Sequence, residues 1–328
     1  MDAHLFNVLE FNSVKKNISK YSEFRPGRDL VFAIKPFNEI YQLRKKQKET
    51  SEYLNFNKKY GFYNLTICKF INKILNKAVI QSILNQSDLM DIADNIQISE
   101  EVYLFYNKDK DFDIINNEVN RLSRNTFIKK EIKRCISDKY IINDNASSEL
   151  NEIRKKINNY KNKINSILEK MLKDNSVLKM LQEPFITIRN DRFVLPVKNE
   201  YKNKFSGHIV DISSSGLSVF MEPSEIMSIG NDLRNYFFDE KKEEEKILRK
   251  LSSMVYEKVN ELKNDQKIIA KVDFYQSVSR WSQENKCIMV SISDKSILDI
   301  INARCPLIKD PVAININIGE KYKTLIIT

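Results

Sequence analysis

Glycine is scarce in this chain, six residues among 328, which argues against a turn-dense all-β fold. Histidine occurs only at His4 and His208, and the four cysteines, Cys68, Cys135, Cys287 and Cys305, stand far apart with no paired spacing. A zinc site or a disulfide framework therefore lacks its donors, and free thiols in a reducing compartment are expected. No window approaches eighteen consecutive apolar residues, and the start, Met1-Asp2-Ala3-His4, lacks a basic stretch followed by an apolar core. These absences point to no membrane span and to a cytoplasmic location. Serines are plentiful, but Ser213 to Ser215 share a predicted hairpin with His208, so turn chemistry explains them better than a nucleophile does. Metal-ligating carboxylates find no such pattern either, and scattered Asp and Glu read as solvated faces.

What is present is 42% hydrophobic and 30% charged residues, the composition of a mainly helical protein with two or three domains. The net charge of +10 suggests a polyanionic partner. The excess is spread along the chain, so it suits a solvated surface nearly as well.

Residues 5 to 34 read as one or two helices, with Phe11, Val14, Ile18 and Tyr21 at helical spacing, Pro26-Gly27 as a break and Pro36 as a stop. Helical pattern resumes over Glu39 to Leu54 and Leu65 to Leu84. Ser87 then reads as an N-cap for Leu89 to Ile96, and helices follow near Ile114 to Leu122 and Thr126 to Ile136. Residues 1–145 are thus expected to form a helical core domain.

Beyond it come two long helical segments, 146–182 and 223–286. In the first, Ala146, Leu150, Ile153, Ile157, Tyr160, Ile164, Ile167, Met171, Leu178 and Leu181 keep a 4-3-4-3 register, with Asp174 the only polar occupant. That is a coiled-coil seam. The second carries Leu248, Leu251, Val255, Leu262, Ile269 and Val272 in a looser register interrupted by the charged run Asp239 to Lys246. Facing seams make an antiparallel arm on the order of 55 Å long. An ordinary long-helix bundle fits the same periodicity. The insert, 183–222, turns to β: Ile186 to Arg189 and Arg192 to Val197 alternate about Asn190-Asp191, and His208 to Ser213 and Leu217 to Met221 about Ser214-Ser215-Gly216. Arg189, Arg192, Lys198, Lys202 and Lys204 give this small sheet a basic edge suited to phosphates, partly offset by Asp191, Glu200 and Asp211. From Cys287 the pattern is β again, over Cys287 to Ile292, Val312 to Ile318 and Thr324 to Thr328, with Gly319-Glu320 as a turn.

Four strings in this order, "INDNASSELNEIRKKI", "LQEPFITIRNDRFVLPVK", "DISSSGLSVFMEP" and "NARCPLI", together with the terminal "TLIIT", resemble the MutS family, in particular its bacterial MutS-II branch. The resemblance covers nearly the whole chain. It implies a mainly α fold: a helical core (1–145), a long antiparallel coiled-coil lever (146–182 and 223–286), a small β clamp at its tip (183–222) and the first strands of an incomplete ATPase domain (287–328). Two positions depart from the family pattern, with Val210 and Cys305 standing where histidines are usual. Phe37-Asn38-Glu39 matches the family's mismatch wedge only as a tripeptide within a helical region, and no mismatch recognition is expected.

The function implied is that of a nucleic-acid-binding portion of a MutS-II-like protein, acting on branched or recombining DNA, or alternatively on collided ribosomes. Members are homodimeric ATPases, often with a nuclease-like module. In the family the strand matching TLIIT leads into a Gly-rich phosphate loop, which is not among these residues, so ATP and magnesium are expected only in a longer protein and no catalytic residue is assigned here. Val312 is the candidate nearest the nucleotide. A coiled-coil scaffold that binds protein is the reading from another class.

Overall fold

The computed structural model describes residues 8–214, 216–319 and 321–326. The chain divides into two compact units, one formed by Met1–Ser82, Asp91–Lys129 and Met254–Thr328, the other by Ile83–Met90 and Lys130–Ser253. Helices dominate, with small antiparallel sheets. Among the described residues no helix is long and apolar enough to cross a membrane.

In chain order the helices that open the protein are α1 (Phe11–Ser19), α2 (Arg25–Phe32), α3 (Ile40–Tyr60), α4 (Asn72–Val79), α5 (Gln86–Tyr106), α6 (Asp113–Val119) and α7 (Thr126–Cys135). Pro26 does not break a helix; it sits in the first turn of α2, where its missing N–H has no intrahelical role. Of the span 65–84 only α4 is helical. The cap before α5 is Asn85, whose side chain accepts from the Asp88 amide at 2.7 Å, so the helix starts earlier than a Ser87 cap allows.

The first unit is built around a helix that the periodicity alone places in the returning arm. After α10 (Ser224–Glu257) the backbone breaks at Lys258 and α11 (Val259–Glu284) follows. Apolar Leu262, Ile268, Ile269, Val272 and Tyr275 are buried on α11, and so are Asp265, Gln266, Asp273 and Gln276. A helix buried on all sides shows no clean stripe, which is why its register is loose. It packs against α1, α2, α3 and α4. Its apolar neighbours are largely aromatic: the Tyr53 and Tyr275 rings stack with centroids 4.4 Å apart, and Phe56, Tyr106 and Phe112 pack beside them.

The polar side chains of α11 tie down loops. Asp273 accepts from Ser22 Oγ and from the backbone N–H groups of Glu23 (2.9 Å) and Phe24 (3.3 Å), fixing the entry to α2. The approach there is so close that a Cβ on Gly27 would lie 2.2 Å from the Asp273 carboxylate. Gln266 donates to Asn95 at 2.8 Å and accepts from the Ile71 amide at 3.3 Å, and Asp265 accepts from the Ser123 amide at 2.8 Å. Each such bond offsets the desolvation of a group that would otherwise be costly to bury.

In the second unit α8 (Ser148–Met171) begins at Ser147, whose Oγ accepts from the Leu150 amide at 3.0 Å. Its buried face is Leu150, Ile157, Ile164 and Leu168. Successive pairings with α10 join Glu149 to Lys246, Arg154 to Glu240 and Tyr160 to Tyr236, so the two helices run antiparallel. The charged run of α10 does not interrupt their pairing. Arg154 donates to Glu240 and Glu244, both at 2.7 Å, and Ser147 donates to Glu243 at 2.9 Å. The first helix is shorter than its apolar register, because Asp174 is not a polar guest in a seam. It caps a separate short helix, α9 (Asn175–Met180), accepting from the Ser176 amide at 2.8 Å.

The sheet that follows contains β1 (Thr187–Arg189), β2 (Arg192–Lys198), β3 (Gly207–Ile212) and β4 (Ser218–Pro223) in the antiparallel order β1-β2-β4-β3. Asn190 and Asp191 both have positive φ, 48° and 57°, the geometry of a two-residue hairpin turn that suits the twist of its strands. Val210 is a bulge in β3. Leu195, Val197, Val219 and Met221 of the sheet share one core with Ile164 and Leu168 of α8 and Ile226 and Leu233 of α10. The Ser214-Ser215-Gly216 turn lies partly outside the described residues, at Ser215.

The last segment departs most from expectation. Its strands are β5 (Leu298–Ala303) and β6 (Ile314–Ile318), paired antiparallel. Cys287 to Ile292 is not a strand, nor are Thr324, Leu325 and Ile326; Glu320, Ile327 and Thr328 lie outside the described residues. A β-branched, apolar run alone does not make a strand where no neighbouring strand accepts its hydrogen bonds. Ile288 is accordingly 86% exposed.

Candidate nucleic-acid interface

The five cations singled out in the sequence all belong to the β region of the second unit, but the fold separates them into two groups. Arg189 and Arg192 are register partners flanking the β1–β2 turn. Lys198 ends β2, about 20 Å further along at 3.3 Å per residue, and Lys202 and Lys204 follow the short helical turn Asn199–Tyr201.

Within the first group the two arginines have different duties. The Arg189 guanidinium lies 4.8 Å from the Phe220 ring centroid on an exposed part of β1, a stacking that leaves its N–H edge free to face an anion. Arg192 is bound to the Glu222 carboxylate, which is 1% exposed, and the other oxygen of that carboxylate lies 3.9 Å from Arg234 Nη1. A Cβ on Gly230 would come 2.8 Å from the same oxygen, so glycine is what lets α10 pass this close to the carboxylate. Arg192 thus neutralises a buried acid, and removing it would strand that charge.

In the second group Lys198 donates to the Lys179 carbonyl at 3.1 Å, while Lys202 and Lys204 are exposed, Lys204 lying 5.8 Å from the Tyr201 ring. Phe205, buried beneath them, anchors this turn to the core. Among the described residues neither Lys202 nor Lys204 forms an ion pair.

Phe220, Glu222 and Arg234 were not legible as parts of this site. A buried carboxylate leaves no periodic signature, and only the register of β4 against β2 and β3 brings Glu222 inside. His208 is its register partner on β3 and is exposed. Ser213 Oγ accepts from the Ser218 amide at 3.1 Å, which is turn chemistry. Among the described residues no group of three His, Cys, Asp or Glu side chains is placed to hold a metal ion. Val312 is 84% exposed, outside β6.

This architecture defines a class: a helical protein in which an antiparallel helix pair and a four-stranded sheet share one core. No family model matches the chain. Its whole length is 30% identical to Endonuclease MutS2 of Halothermothrix orenii, covering 43% of that protein, and 98% of it is 31% identical to Endonuclease MutS2 of Shouchella clausii, covering 42%. The Putative endonuclease MutS2 of Bacillus subtilis is 29% identical, again over the whole chain. The chain is thus similar along its whole length to MutS2 proteins, which are members of the MutS family. It spans less than half the length of the curated relatives it matches.

Proposed function

We propose that the chain supplies the core, lever and clamp of a MutS2-like protein that grips a nucleic acid, with branched or recombining DNA as the favoured target. In this reading the α8–α10 pair is the lever, the four-stranded sheet is the clamp, and Arg189, Lys198, Lys202 and Lys204 bind the phosphate backbone. Residues 287–328 open a nucleotide-binding domain, with Val312 on the nucleotide side. ATP and magnesium act in the longer protein, which works as a homodimer. Nucleotide state moves the levers, and by linkage a polyanion that favours closed clamps shifts the nucleotide equilibrium.

The observation that carries this reading is the set of cations at the ends of a sheet rooted in the helix pair and in the turn after β2, with Arg189, Lys202 and Lys204 exposed, in a chain whose relatives are named endonucleases. The test is a salt titration of binding to branched DNA, duplex DNA and ribosomes, for the native chain and for a Lys198→Glu, Lys202→Glu, Lys204→Glu variant. The reversal is expected to flatten the slope of log affinity against log salt by about 0.9 for each phosphate that is no longer neutralised. The tightest ligand names the target, so a preference for ribosomes moves the reading there. Absence of binding to all three overturns it.

A further inference from the structure

The two helices of the pair carry their charges differently. Along α10 the exposed lysines and arginines alternate with acids, and several are paired: Lys246 with Glu149 and Glu243, Arg249 with Glu245, Lys250 with Glu131. On α8 the one arginine, Arg154, is half-buried and fully engaged by carboxylates and a carbonyl. Beyond it the helix holds five lysines and a single acid, Glu169.

At 100° per residue Lys155, Lys156, Lys163 and Lys170 fall within about 100° of arc, with Asn159 and Asn162 on or beside the same stripe. All six are exposed, on the side of α8 away from Ile157 and Ile164. None of the four lysines forms an ion pair among the described residues. Lys156 and Lys163 rest over the Tyr236 and Tyr160 rings, at 5.5 and 5.2 Å. From Lys155 to Lys170 the stripe runs about 22 Å, the length of roughly six base pairs along a duplex. Glu152 marks its beginning and Glu169 its flank.

We infer that this face of α8 is a second binding surface for the phosphodiester backbone of a nucleic-acid duplex, additional to the cations of the sheet; it rests on the nucleic-acid reading above. The chemistry selects this class of partner. No apolar side chain lies on the stripe, so it offers neither the dry aromatic centre of a protein interface nor the apolar face that a helix needs to lie in a membrane. Ammonium groups outside any ion pair, separated by neutral amide donors and flanked by only Glu152 and Glu169 on their own helix, are what a run of phosphates requires, and nothing in the stripe reads bases. A duplex held at the sheet would thus extend back along the helix.

The test uses 20-base-pair DNA and RNA duplexes and four forms of the chain. These are the native chain, Lys155→Gln/Lys163→Gln/Lys170→Gln on the stripe, Lys198→Gln/Lys202→Gln/Lys204→Gln on the sheet, and Lys241→Gln/Lys242→Gln/Arg249→Gln on the mixed face of α10. Gln has nearly the helix propensity of Lys and Arg, so an unchanged thermal melt is expected and verifies the fold. The stripe variant is expected to lose about 2 to 3 from the salt slope, near 0.9 per phosphate, on both duplexes. The α10 variant, with the same change in net charge, is expected to lose less than half as much. A stripe variant with the native slope, beside a sheet variant of weakened affinity, overturns this inference and leaves the clamp reading standing. Equal losses from stripe and α10 variants overturn it as well, since net charge then suffices. If the native chain binds neither duplex, the inference and the DNA reading fall together.

Discussion

In the first unit the central helix carries Asp265, Asp273, Gln266 and Gln276 into the interior, where most of these polar atoms hold a loop. In the second, α8 buries Leu150, Ile157, Ile164 and Leu168, and its strongest charge cluster, Arg154 with Glu240 and Glu244, stays at the rim of the helix pair. The difference follows from what each must fix. Irregular loops present unpaired N–H groups that need an acceptor inside. Two straight helices satisfy their own backbones and need only an apolar face and a rim that sets their alignment.

The largest test of that contrast is Asp273→Ala against Arg154→Ala. The first leaves Ser22 Oγ and the Glu23 and Phe24 amides without their buried acceptor and is expected to cost about 3 to 5 kcal/mol in chemical denaturation. The second removes a rim network and should cost about 1 kcal/mol. Comparable losses would break the comparison.

A smaller effect is expected from pH. Burial pushes the Asp265 carboxyl up to about 6, against the lowering influence of the Ser123 hydrogen bonds. A raised acid binds more protons folded than unfolded, so its contribution to stability is present below pH 4 and is lost as pH rises through 6. The amplitude is about 3 kcal/mol at two pK units. Stability profiles of the native chain and of Asp265→Asn should diverge across this window, and parallel profiles would show that Asp265 stays ionised throughout.

The smallest effect is kinetic and needs no mutation. Cys68, in the first unit's core, has its thiol pushed up to about 12 by burial, and Cys135 is buried as well. Cys287 and Cys305 are exposed. A disulfide reagent at neutral pH should modify Cys287 and Cys305 in the folded protein and reach Cys68 and Cys135 only on unfolding. Fast reaction of all four would mean that the first unit's interior opens readily.

Much of the local structure was legible. Period-two alternation about Asn190-Asp191 specified the β1–β2 hairpin, because that dipeptide tolerates the positive φ such a turn requires. The heptad-like spacing on α8 picked out Leu150, Ile157 and Ile164 of its buried face but missed Leu168, which lies off that register, while Ile153, Tyr160 and Ile167 are only partly buried. Other features misled for identifiable reasons. Asp174 looked like a lapse in a seam because a cap and a core position occupy the same register when only spacing is read. The run from Asp239 to Lys246 looked like an interruption because its partners, Ser147, Glu149 and Arg154, lie nearly a hundred residues earlier. Cys287 to Ile292 had a strand's β-branched, apolar composition without a strand's neighbour.

By itself, then, the sequence determined the helical character, the β1–β2 hairpin turn, most of the apolar face of α8 and the family resemblance carried by the four strings, all of which depend on residues close together in the chain. Tertiary structure alone decided that Val259–Glu284 is the centre of the first unit, that Arg192 is held by Glu222 while Lys202 and Lys204 stay exposed, and that Lys155, Lys156, Lys163 and Lys170 of α8 are exposed and outside any ion pair among the described residues. Burial and charge pairing depend on what the rest of the chain brings within a few ångströms, and no local pattern encodes that.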